Sequence, residues 1–322
     1  MSSPEVTEEV RLQRAAFTLQ SAFAIFREVT WHNHIYSIKL EPRQIAIKED
    51  PNKLFRFQGW FSPYPVPMTP KHQDKVAVLM TMGGDDVGHM RELIEQMVES
   101  MDVKLEDILI RPRPTTRRTV ILRPDATIVL NDNDHWLIRI TLNTTGEQYA
   151  LDISGAQYNH HTYLSPWSSA CDTFIAKILL VKPFGTLQKY VRDISDLKDL
   201  AGLEAEVQAD AMASFHGIVD IAMQNKNLTW SAILSKPEKD YIRHRDKVLR
   251  KGKHAMEEYV QATHLAKRRL KAERYERRNP DFVVEGLGRI QDEVLGLRPT
   301  RVKKVINGVS WWVSGKVEPE VD

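Results

Sequence analysis

Apolar residues return at helical spacing over the first thirty positions, where Val10, Ala15, Phe17, Leu19, Ala22, Phe23 and Phe26 predict an amphipathic helix to about Thr30, entered at Ser3 and Pro4. The period then changes. Residues 34–40, 43–47 and 54–61 alternate as strands do, the last two parted by Asp50-Pro51-Asn52. Four prolines in 61–72 predict an extended segment without regular structure. Val76 to Met80 reads as a short buried strand, Gly83-Gly84-Asp85-Asp86 as a turn, and Met90 to Met101 as a helix.

Strand patterns are densest further on, at 119–123, 126–130, 135–142 and 148–153, with a short helix at 168–175 and a strand at 176–182. From Leu187 onward the pattern is helical, strongly so over 201–225. Residues 236–278 read as the longest helix. In it Ile242, Leu249, Met256 and Leu270 recur by sevens beside Tyr259 and Ala266, a narrow seam suited to pairing within the chain or in a homodimer. A helix near 285–296 follows, and Asn307-Gly308 between alternating segments predicts a terminal hairpin.

The pattern at 134–161 also fixes a register. If Trp136, Ile138 and Ile140 face the same core as Tyr149, Leu151 and Ile153, paired residue numbers must sum to an odd value. The turn at 143–147 then sets His135 opposite Ser154 and Leu137 opposite Asp152. His135 and Asp152 become diagonal neighbours, roughly 5–8 Å apart at Cβ, on the face away from the largest apolar side chains. An aspartate bonded to one imidazole nitrogen would fix the tautomer and raise the basicity of the other. The plain alternative is a polar edge on a solvent-facing hairpin.

The run His135-Trp136, an apolar strand, and then Gly146, Tyr149 and Asp152 resembles the His and Asp half of the papain-like Cys-His-Asp enzymes, in particular the transglutaminase and arylamine N-acetyltransferase group. The likeness covers about 25 residues. It implies acyl-transfer or hydrolase chemistry. Those families carry their nucleophilic cysteine upstream at a helix N-terminus, and this chain has no cysteine before His135. Either the nucleophile is lost, or the order is permuted as in the lecithin retinol acyltransferase group, which Cys171 within 165–178 resembles. A thiol at a helix start is activated by the dipole; a lone intracellular cysteine is otherwise a small buried hydrophobe. Gln157 offers an amide for a developing oxyanion. His160 and His161 cannot both face one metal on an extended segment, and His32 with His34 lacks a third ligand at readable spacing. No cofactor or metal is expected.

Composition narrows the setting. The chain has 322 residues, 42% hydrophobic and 27% charged, with no window as apolar as the roughly 18-residue run of a membrane span. The first thirty residues carry charges where a signal peptide needs an apolar run, so an intracellular protein, cytoplasmic or nuclear and away from membranes, is expected. One cysteine excludes an internal disulfide and a thiolate zinc site. Net charge is only +2, but 236–278 holds fifteen Lys or Arg against seven Asp or Glu. Lys267, Arg268, Arg269, Lys271, Arg274, Arg277 and Arg278 form its sharpest cluster, a solvated face or a phosphate-contacting surface. The basic stretch 111–118 is a second patch, with Tyr275, Trp311 and Trp312 available for stacking.

Together these readings predict an α+β protein with a central antiparallel sheet, flanking helices and a long basic C-terminal helix. They divide it into an N-terminal helix (1–31), a β-rich papain-like core (32–183) and a helical C-terminal region (184–322). The leading function is papain-like acyl transfer or hydrolysis of a small-molecule or peptide substrate, active or degenerate, with His135, Asp152, Cys171 and Gln157. The alternative is an RNA-binding, tRNA-binding or scaffolding protein acting through 236–278.

Overall fold

The computed structural model describes residues 6–31, 35–49, 64–81, 83–123, 128–130, 134–263, 265–296, 301–306 and 309–314, with 129–130 and 301–314 described in backbone only. The first helix, α1 (Glu8–Val29), is capped by Thr7, whose side chain accepts from the Val10 N–H. That corrects the expected entry: Ser3 and Pro4 lie outside the described residues, and a hydroxyl three residues before Val10 satisfies an otherwise unpaired amide. The expected strand at 54–61 also lies outside them.

Two sheets follow. β1 (Ile35–Leu40) and β2 (Gln44–Glu49) join β4 (Arg118–Leu122) and β5 (Ile128–Leu130) in the order β1-β2-β4-β5, with β2 and β4 parallel. The larger sheet is the antiparallel one: β3 (Val103–Pro112), β6 (His135–Leu142), β7 (Gln148–Leu151), β8 (Leu164–Pro166) and β9 (Ile175–Pro183), in the order β8-β7-β6-β3-β9. The α+β reading with a central antiparallel sheet therefore holds. The strands expected to form one sheet are divided between two, because the chain leaves β3 through 113–117 and enters β4 in the other.

Val76 to Met80 is helix rather than strand, within α2 (His72–Met80). Val76 and Met80 pack into the main core and Ala77, Val78 and Leu79 into a second core under the smaller sheet. A segment buried on every side shows no polar face, so no period betrays it. A one-turn 3-10 helix at Val66–Met68 interrupts the proline-rich segment expected to be irregular throughout. The turn at 83–86 runs into a 3-10 stretch, Asp85–Met90, and then α3 (Arg91–Val98).

Beyond the sheet stand α4 (Trp167–Thr173), α5 (Thr186–Ser195), α6 (Leu200–Gln224) and α7 (Trp230–Leu234). The expected long helix is two: α8 (Glu238–Ala262) and α9 (Leu265–Arg278), broken at Thr263, whose ψ of 124° is extended. The break lets α9 place Leu265 and Ala272 against Leu203 and Val207 of α6, while α8 keeps Leu249 and Met256 in the main core. The heptad seam is thus largely spent inside the chain. Ile242 and Leu270, its outer members, stay exposed. The last helix is α10 (Pro280–Ile290), continued by a π turn at Gln291–Leu295, and the terminal hairpin β10 (Arg301–Ile306) and β11 (Val309–Ser314) pairs Ile306 with Val309.

The main core lies between α1, α3, α6, α8 and the sheet face bearing Trp136, Ile138 and Ile140. The opposite face is covered as well. Ile108, Ile110 and Leu137 pack there with Ala150, Tyr158, Ala170 and Phe174.

Candidate functional site

The β6–β7 pairing places Ile138 opposite Leu151, Arg139 opposite Ala150 and Ile140 opposite Tyr149. Each pair sums to the odd value the apolar alternation demands. In that register His135 Nε2 lies 2.8 Å from Asp152 Oδ1. The pair expected from sequence meets. Its setting differs from the solvent-facing hairpin considered above: His135 is 0% and Asp152 2% exposed, under the Gly155–Tyr158 3-10 turn and the ring of Phe174.

Asp152 is bonded on every side. The Ser154 N–H donates to Oδ1 at 3.3 Å, and His160 Nδ1 lies 3.3 Å from Oδ2. Burial alone would raise this carboxyl, but the adjoining charge and hydrogen bonds of His135 and those of His160 outweigh it and hold Asp152 well below the usual carboxylate range. Gly155 makes the arrangement possible. A Cβ at that position would stand 2.1 Å from Oδ2, inside the carboxylate.

The imidazole of His135 faces Gln157 through Nδ1, with Gln157 Nε2 at 3.5 Å. Tyr158 and Phe174 close it edge-on, at ring-centroid distances of 4.9 and 5.8 Å. Gln157 therefore sits on the ring, as its position three residues after Ser154 allows. Cys171 does not. Among the described residues its thiol hydrogen-bonds to neither imidazole nor amide. It is the fifth residue of the seven in α4, where the sequence had placed it at a helix start, and it packs beside Trp167 against the second sheet face. Its carbonyl accepts from Arg113 Nη2 at 3.1 Å.

His160 is the member that sequence reasoning passed over as a partner. Its ring stacks on Phe174 at 4.3 Å with 7° between planes, and its side chain keeps 19% exposure. The signal was available in the spacing. A glycine-opened 3-10 turn of four residues returns the chain to Asp152, where the His160 N–H also bonds the Gly155 carbonyl.

The basic residues gather elsewhere. Arg268, Lys271, Arg274 and Arg278 of α9 line one cleft of about 660 Å³ against α6, joined by Lys198, Tyr275 and Asn279. Arg268 pairs with Glu206 across it. No ion pair among the described residues engages Lys198, Lys271, Arg274 or Arg278. Lys267, Arg269 and Arg277 lie outside the cleft, Arg269 bonding Glu273 at 2.8 Å and Arg277 the Glu273 carbonyl at 3.3 Å. The second basic patch is largely tied down: Arg111 bonds Asp134, Arg113 the Cys171 carbonyl, and Arg117 both Asp74 and the Glu41 carbonyl. Local acceptors engage these guanidinium groups, while Arg113 and Arg118 stay exposed as expected. The side chains of Trp311 and Trp312 lie outside the described residues, as do His32 and His34.

Among the described residues no three His, Cys, Asp or Glu side chains are grouped to hold a metal ion, and no helix is long and apolar enough to cross a membrane. Compared with protein-family models, with curated proteins and with solved structures, the chain matches none.

Proposed function

We propose that the chain binds a phosphate-rich polyanion, a single RNA strand, in the cleft between α6 and α9. The observation that carries this reading is the sharing of one concavity by Lys198, Lys271, Arg274 and Arg278 without a carboxylate partner among the described residues. Like charges so placed repel by a few tenths of a kcal/mol per pair even in water, a cost that an entering anion turns into attraction. Tyr275 on the same wall supplies a ring for a base to stack on.

The test is fluorescence anisotropy of a labelled oligouridylate across a salt series, on the full chain and on the Lys271→Glu, Arg274→Glu, Arg278→Glu variant. Each phosphate contact contributes about −0.7 to the slope of log affinity against log salt for a single strand. A slope of roughly −2 or steeper that flattens in the variant supports the reading. Binding that is absent, or that ignores both salt and charge reversal, overturns it.

A second reading, papain-like acyl transfer through Cys171, rests on the Asp152-held His135 with the Gln157 amide on its free nitrogen. It requires the thiol to approach the ring. Rapid alkylation of Cys171 at neutral pH, slowed in His135→Ala, supports it; equally slow labelling in both rejects it.

A further inference from the structure

Asp152 holds two imidazoles, and they are not equivalent. With its carboxyl kept ionised, each ring nitrogen in contact with it must carry the proton: Nε2–H on His135 and Nδ1–H on His160. In the neutral form of each ring the other nitrogen is bare: Nδ1 of His135 and Nε2 of His160. The first is sealed, with the Gln157 amide 3.5 Å away and the residue wholly buried. The second has no hydrogen-bond partner among the described residues, and the side chain that carries it keeps 19% exposure. Stacking on Phe174 fixes the plane of that ring.

We propose that His160 is the reactive imidazole of this corner, a nucleophile toward activated acyl groups such as esters and thioesters, with Asp152 orienting it and His135 as a positioning residue that anchors the carboxylate. This goes beyond the polyanion reading and shares no residue with it. It also differs from the second reading, because the acyl group lands on nitrogen rather than sulfur.

In the step, the Nε2 lone pair forms a bond to the acyl carbon and the bond from that carbon to the leaving oxygen or sulfur breaks. The leaving group departs with the electron pair and takes a proton from water. Positive charge developing on the ring is met at Nδ1–H by the carboxylate of Asp152. Water then attacks the acyl-imidazole, releasing the carboxylic acid and restoring His160. No outside oxidant, reductant or metal enters the balance.

Diethyl pyrocarbonate serves as the acyl donor, with the full chain at pH 8 and the adducts located by peptide mass spectrometry. His160 is expected to be carbethoxylated at least tenfold faster than His135. Its rate should fall at least tenfold in Asp152→Asn while that of His254, exposed on α8, stays unchanged. Because Asp152→Asn can fail to fold, the imidazole ¹⁵N shifts of the wild-type chain provide an independent reading, the Nδ1–H tautomer for His160 and the Nε2–H tautomer for His135. An adduct on Cys171 in place of His160, an unreactive His160, or an Nε2–H tautomer at His160 overturns the proposal.

Discussion

Gly252 of α8 faces the ring of Phe215 on α6 so closely that a Cβ there would stand 2.2 Å from two ring carbons. The two helices share the main core through this contact, and its tightness is a property of the missing side chain. Gly252→Ala should therefore destabilise the fold by roughly 1–3 kcal/mol through overpacking, more than the gain of about 1 kcal/mol for alanine in a helix returns. Gly217 is the control, since nothing lies within 4 Å of its Cβ position on the same α6. Gly217→Ala should raise the thermal midpoint and Gly252→Ala lower it; equal shifts would disprove the close approach.

Removing one partner of the buried pair should cost more. Asp152→Ala leaves the His135 imidazole sealed without its acceptor, a loss of about 3–5 kcal/mol in denaturant midpoint analysis. The sign with pH follows from the lowered carboxyl. The unfolded chain takes up the proton near pH 3.9, the native one only at lower pH, so the contribution is complete above about pH 4 and fades as pH falls below it. Urea midpoints measured between pH 6 and pH 2 should show this decline, and Asp152→Asn should flatten it.

His216 and His89 act in the same direction, but at higher pH. Both line a cavity of about 160 Å³ between α5 and α6, and burial pushes both imidazoles down. Glu92 and Asp220 partly offset this at His216, as do Asp86 and Glu204 at His89, where Arg27 adds to the depression. Both His216 ring nitrogens are buried without a partner. The unfolded chain protonates near pH 6.5 and the native one does not, so stability should fall as pH drops below about 6.5. Thermal midpoints from pH 8 to pH 5 should show a downward slope that His216→Leu reduces.

Asp107 tests the capping of α5. It is buried in the middle of β3, and Oδ2 accepts the N–H groups of Gly185 and Leu187, each at 3.0 Å. Asp107→Ala should cost about 1–2 kcal/mol by orphaning these donors, with Asp107→Asn milder because one oxygen remains. Unfolding free energies of the two variants measure the difference; an unaffected Asp107→Ala would show that solvent replaces the cap.

That same residue shows why part of the fold was hidden in the sequence. Glu106 and Asp107 interrupt the apolar run, so the inner strand β3 passed without notice. Its acidic pair is explained only by Lys104 and Arg139 beside Glu106 and by the α5 start above Asp107. The β6–β7 register was legible because alternation permits one parity, and the His135–Asp152 contact followed from it. The burial of that contact was not, since Tyr158 and Phe174, which cover it, arrive from a turn and a helix end that local patterning does not locate. The break at Thr263 was likewise invisible: no proline or glycine marks it, and its cause is α6, whose Leu203 and Val207 are some sixty residues away.

One long-distance attachment carries a consequence for how the molecule is made. The Tyr241 hydroxyl on α8 donates to the Arg14 carbonyl on α1 and sits beside the Thr18 hydroxyl, while Arg14 reaches the carbonyls of Leu234 and Lys236. These partners are separated by 220 to 227 residues. At a ribosomal pace of about 5–20 residues per second, α1 waits roughly 10–45 s for the groups that hold it. During that interval α2 and α3 can already cover part of its apolar flank, while the part that meets α7 and α8 stays open to solvent.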